Sequence, residues 1–142
     1  MNRSRKVLSV ASAALLTGPA VTVAVTVVSA VPAAATTGAG CRGNAYISRL
    51  GNTQYSIQGK MSCTSEESLR VTCYPVHKHT VGWDSHTSSQ IAEGPVNMKA
   101  NSTLTVGPAT VGGTDGDTYK THCNFDKNGS RIFIDESDTV TL

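Results

Sequence analysis

Four histidines are the residues with the most chemistry to offer. His77-Lys78-His79 sets two imidazoles two residues apart, His86 follows nine residues after His77, and His122 sits beside Cys123. On a strand, positions i and i+2 point the same way, so His77 and His79 would share a face. Neutral imidazole suits Zn²⁺ and Cu²⁺, and a third histidine could complete a metal site. However, no Asp or Glu stands at a spacing that fixes a fourth ligand. The plainer reading is a polar rim of titrating histidines, so no metal and no cofactor is expected. The single tryptophan, Trp83, lies in the same stretch between Gly82 and Asp84. It reads either as an exposed aromatic contact, supported by Tyr74, or as the large aromatic of the core. Residues 76–90 are the expected contact loop, and the candidate contact residues are Tyr74, His77, His79, Trp83, Asp84 and His86.

Other constellations lack parts. Gly112-Gly113-Thr114-Asp115-Gly116-Asp117 is similar to a calcium-binding repeat, but it has Asp115 where glycine is expected and occurs once. Such repeats bind by stacking, so one copy cannot complete a coordination shell. A tight inter-strand turn is expected there. No Gly-x-Ser-x-Gly elbow occurs, so nucleophilic hydrolysis has no recognisable centre. Glu66 and Glu67 are adjacent, and on a strand they would point to opposite faces rather than work as a pair. Asp135-Glu136-x-Asp138 reads as a solvated edge that discourages strand pairing. No enzyme activity is expected.

The opening of the chain reads as an address. Arg3, Arg5 and Lys6 precede residues 7–35, which carry no charge and end in Ala33-Ala34-Ala35. A basic start, an apolar run and an Ala-x-Ala end describe a secretory signal peptide over residues 1–35, cut after Ala35, with Ala30 as second choice. A retained anchor is the competitor, since residues 7–30 are long enough to span a bilayer, but Gly18-Pro19 interrupts them. The mature part would be residues 36–142, with nine basic and ten acidic residues and a net charge of −1. That balance argues against nucleic acid as a partner, and against a membrane once the signal is removed.

All four cysteines, Cys41, Cys63, Cys73 and Cys123, fall in the mature part. An even count in a small exported domain predicts two disulfides. The core also needs them: Leu, Ile, Val and Phe make up only 18 of those 107 residues, below the usual share. The cysteines match no zinc-finger spacing.

From Tyr46 onward the hydrophobic period is two. Residues 36–44 read as a flexible leader and residues 45–142 as the folded domain. Ile57, Gly59, Met61 and Cys63 share one face, and Leu69, Val71 and Cys73 another, about the polar Ser65-Glu66-Glu67-Ser68. Two alternating runs about a short polar loop predict a β-hairpin. Residues 96–106 alternate again, and Tyr119, Thr121 and Cys123 share the face of a further strand. Asp126-Lys127-Asn128-Gly129 predicts a tight turn, and the last strand is expected to kink at Asp135–Asp138. In that hairpin Cys63 would face Leu69 or Val71, which leaves Cys73 too far along the ladder for a Cys63–Cys73 bond. The expected pairs are Cys63–Cys123 between sheets and Cys41–Cys73.

Cys63, Trp83 and the run Asp115-Gly116-Asp117-Thr118-Tyr119 before Cys123 resemble the Cys…Trp…Cys plan of immunoglobulin-like domains, over residues 55–142. The tyrosine stands four residues before the cysteine instead of two. Gly-Lys-Met-Ser-Cys, Leu-Arg-Val-Thr, Trp83 and Tyr119…Cys123 are also similar to small secreted β-sandwich proteins of actinomycetes. The resemblance implies an all-β, antiparallel, immunoglobulin-like sandwich with two disulfides behind a signal peptide, and a core Trp83 on the inter-sheet disulfide. The expected function is a secreted structural or binding module that contacts an extracellular protein or carbohydrate. The alternative is a small inhibitor of an extracellular hydrolase.

Overall fold

The computed structural model describes residues 35–142, so the signal-peptide reading of residues 1–35 lies almost wholly outside them. Ten strands in two antiparallel sheets account for the described chain, with one 3-10 turn at Thr87–Ser89. The first sheet has the order β1 (Thr36–Gly38), β2 (Cys41–Arg49), β3 (Gln54–Cys63), β7 (Thr103–Gly112). The second is built on β4 (Glu67–His79) and β8 (Thr118–Lys127), paired along their length. On the far edge of β4 lie β5 (Gly82–Ser85) and β6 (Ile91–Met98); on the far edge of β8 lie β9 (Ser130–Glu136) and β10 (Val140–Thr141). Among the described residues no helix is long and apolar enough to cross a membrane.

The period of two places the core as expected. Along β3, Tyr55, Ile57, Gly59, Met61 and Cys63 are buried while the residues between them are partly open. On β8, Tyr119, Thr121, Cys123 and Phe125 are buried. The Asn128-Gly129 turn joins β8 to β9, with φ of 51° and 81°; this is the left-handed pair that a two-residue hairpin requires.

Partner strands differ from the sequence reading in three places. Residues 36–44 are not a leader: they form β1 and the first half of β2. The predicted β3–β4 hairpin does not form. β3 is flanked by β2 and β7, and the polar turn carries the chain into the other sheet. Alternation fixes which face a residue takes but not which strand lies beside it. The run 96–106 is also broken, by a turn at Asn101 with φ of 62° between β6 and β7.

The disulfides are correspondingly Cys41–Cys63 and Cys73–Cys123, not the two expected pairs. Each joins residues directly opposite on neighbouring strands, β2 with β3 and β4 with β8. Both bonds therefore lie within a sheet. Directly opposed residues bring their Cβ atoms to about 4.5–5.5 Å, which suits a short crosslink, whereas facing sheets stand about 10 Å apart. The sheets meet by packing. A Cβ on Gly59 of β3 would stand 2.4 Å from Cys73 Sγ, so the missing side chain is the space the second disulfide fills. Asp135, expected as a solvated edge residue, is buried instead. It accepts a hydrogen bond from the Ala45 N–H at 2.8 Å and another from the Thr36 hydroxyl, capping β2 where the short β1 ends and tying the two sheets together at that edge.

Candidate functional site

The candidate residues divide into two groups. Tyr74 and Trp83 face outward on the second sheet, while His77, His79, Asp84 and His86 gather at the end of the sandwich.

On the outer face, Trp83 pairs with Lys78, and Val76 stands between Ser85 and Lys120. The Lys120 ammonium lies 4.4 Å from the centre of the Trp83 ring. Since β4 runs between these two strands, the two side chains bridge it above Val76. This explains why Val76, on the outward side, is only 5% exposed. Trp83 is thus not a core residue on a disulfide; it is 37% exposed on a short edge strand. Lys120 also bonds Glu136, and His122 Nδ1 approaches Glu136 at 3.1 Å while its ring stacks on Tyr74 with centroids 4.9 Å apart. Burial opposes ionisation of Glu136, but the hydrogen bonds from Lys120 and His122 prevail and hold its carboxyl below the ordinary range. Lys120 and Glu136 were not singled out from the sequence, although the parity of β8 sets Lys120 and His122 on one face.

At the sandwich end a ladder of rings leads out of the core. Tyr55 stacks on Tyr119 at 4.7 Å, Tyr119 on His77 at 4.9 Å, and His77 meets His79 at 4.4 Å and His86 at 5.8 Å, between ring centres. His86 is held there by its own N–H, which donates to the Pro75 carbonyl at 2.9 Å. Two carboxylates join the cluster. Asp117 Oδ2 lies 3.0 Å from His77 Nε2, and Asp84 Oδ2 lies 3.0 Å from His79 Nε2. The first contact is one of proximity without a hydrogen bond: His77 Nε2 is shut off from solvent and makes none. Asp117 was hidden from sequence reading inside the Gly-rich segment, which forms a turn closed by Asp117 N–H to the Thr114 carbonyl at 3.1 Å. Beside the cluster, Tyr55, His86, Ser89, Gly113, Thr114 and Tyr119 line a cleft of about 360 Å³. A cleft of about 300 Å³ at the opposite end, over the Cys41–Cys63 disulfide, offers only Arg42 as a charged group.

No protein-family model matches the chain and no curated protein matches it. Solved structures similar to it include the following two. One is the solution structure of R. palustris CsgH, with a TM-score of 0.46 and 13% identity, covering 69% of this chain and 91% of that one. The other is a crystal structure of a Bacteroides fragilis protein named as a β-galactosidase, with a TM-score of 0.40 and 14% identity over 70% of this chain. The match spans only 16% of that second protein. At such identities no activity passes from either to this chain.

Proposed function

We propose that the protein is an exported binding module that works outside the cytoplasm by contact, with no chemistry of its own, and that the β4–β5 hairpin makes the contact. The observation that carries this reading is the bare apolar tip of that hairpin. Val81 is 98% exposed and Trp83 stands two residues on, on a domain crosslinked twice. A rigid, aromatic-bearing projection loses little entropy on docking and supplies the kind of side chain that dominates interface energies. Export is supported by the basic-then-apolar opening of the sequence and by the pairing of all four cysteines.

The test is retention of extracellular proteins and soluble polysaccharides on the immobilised protein. The wild type should retain a component that the Trp83→Ala and Val81→Ser variants release; equal retention by both variants overturns the assignment. The hairpin apex also favours a second reading, inhibition of a secreted hydrolase by insertion of the tip. Stoichiometric loss of activity in a panel of proteases and amylases, cancelled by Val81→Asp, would select it.

A further inference from the structure

The ring cluster at the sandwich end holds a buried nitrogen with no hydrogen-bond partner. His77 Nε2 is sealed from water, a position that ordinarily costs free energy unless something satisfies it. Asp117 Oδ2 is close enough to accept a hydrogen bond, at 3.0 Å, yet lies off the line along which the ring N–H would donate. A misaligned nitrogen and oxygen about 3 Å apart match two neighbouring ligands of one metal ion, each about 2.1 Å from it. The His86 ring centre stands 5.8 Å from that of His77. With metal–nitrogen bonds of about 2.1 Å, two imidazoles sharing an ion have centres about 5–6 Å apart.

We propose that His77 Nε2, Asp117 Oδ2 and His86 bind a divalent transition ion, whose entry parts the contacts that cover His77 Nε2. Among the described residues no three His, Cys, Asp or Glu side chains are arranged to hold a metal as they stand, so the site forms by a swing of one ring. His86 is the residue free to make that swing, being exposed and anchored only through its backbone. His77, stacked on Tyr119, and Asp117, in its turn, are the fixed half of the site. The His79–Asp84 pair, 3.0 Å apart, flanks it. Two imidazoles and one carboxylate select zinc or copper over calcium and magnesium, which prefer all-oxygen shells. The ion would link β4, the segment before β6 and the β7–β8 turn, three pieces that meet there without a covalent tie.

The purified, disulfide-bonded protein is titrated with Zn²⁺ and separately with Ca²⁺ by calorimetry, while the histidine ring signals are followed by NMR. The expected result is one Zn²⁺ per chain, with the His77 and His86 signals moving together and His122 still. His86→Gln and Asp117→Asn should each weaken binding at least tenfold, and His122→Gln should leave it unchanged. Should Asp117→Asn lose its fold by circular dichroism, His86→Gln and the NMR pattern decide. No Zn²⁺ binding at millimolar metal, equal binding of Ca²⁺, or full binding by His86→Gln overturns the site. The outcome is separable from the hairpin reading, because Trp83→Ala and Val81→Ser leave all three ligands in place.

Discussion

Glu67 sits where β4 begins and collects three partners from two other segments. The Lys127 ammonium lies 2.8 Å from one oxygen, the Ser65 hydroxyl 2.7 Å from the same oxygen, and the Asn128 amide 2.6 Å from the other. These hydrogen bonds, led by that from Lys127, pull its carboxyl down to about 2 from 4.5. A carboxyl held low stabilises the fold above its unfolded pKa, and that contribution fades as pH falls through the folded one. Stability should therefore decline between about pH 4.5 and about pH 2. Urea midpoints of the wild type and Glu67→Gln should converge across that window; parallel curves would show that the carboxylate does not anchor β4. Tyr55 carries the opposite sign. Burial first, then its neighbour Tyr119, raise its phenol to about 12. Its neutral form is the folded one, so its contribution is complete below about pH 10 and disappears as pH rises through about 12. In an absorbance titration at alkaline pH one tyrosine should ionise last, together with the loss of the sheet signal in circular dichroism.

Among the elements, β5 is a four-residue edge strand whose Trp83 reaches over its neighbour β4. Trp83 and Lys120 meet above β4 at 4.4 Å and cover Val76. Trp83→Ala removes both the ring contact and the lid on Val76. A loss of about 1–2 kcal/mol is expected in denaturant unfolding. Acrylamide should quench the single tryptophan readily in the native wild type, since the ring is partly open; slow quenching would place it inside. The faces of most strands were legible from alternation alone, as β3 and β8 show. Turn chemistry was legible where it is stereochemically demanding: Asn128-Gly129 permits two left-handed residues, and a β8–β9 hairpin follows. Strand neighbours were not legible. Ser65-Glu66-Glu67-Ser68 serves equally as a hairpin loop or as a crossing between sheets, and nothing local distinguishes them. The cysteine pairing depends on the same choice: the crossing sets Cys73 opposite Cys123 on β8, which a β3–β4 hairpin would not. The histidine cluster was half legible: period two set His77 beside His79, but Asp117 reaches them only through the pairing of β4 with β8.

In the molecule as a whole, both covalent ties lie within sheets, so cohesion between the sheets rests on fitted shapes and on hydrogen bonds such as those accepted by Asp135. The Cys73–Cys123 sulfurs occupy the gap that Gly59 leaves in the facing sheet, where a Cβ would come within 2.4 Å of Cys73 Sγ and 2.8 Å of Val71. Crosslink and glycine should therefore be coupled energetically. On chain entropy alone, closing 22 residues contributes about 3 kcal/mol and closing 50 about 4 kcal/mol. Cys41→Ala/Cys63→Ala and Cys73→Ala/Cys123→Ala should differ by more than that gap, because the second pair is the more completely buried and packs against Gly59 of the facing sheet, so it leaves the larger void. Gly59→Ala in the otherwise unchanged protein forces the added methyl against sulfur and should cost about 1–3 kcal/mol. In the Cys73→Ala/Cys123→Ala background the contact with sulfur is gone and only the contact with Val71, 2.8 Å away, remains, so the cost should fall. Gly112→Ala, at a site where a Cβ meets nothing within 4 Å, is the control and should show no such dependence on the disulfide. If the Gly59→Ala cost is the same with and without the crosslink, the two sheets are not held by this contact, and Asp135 with the Tyr55–Tyr119 stack must account for their union.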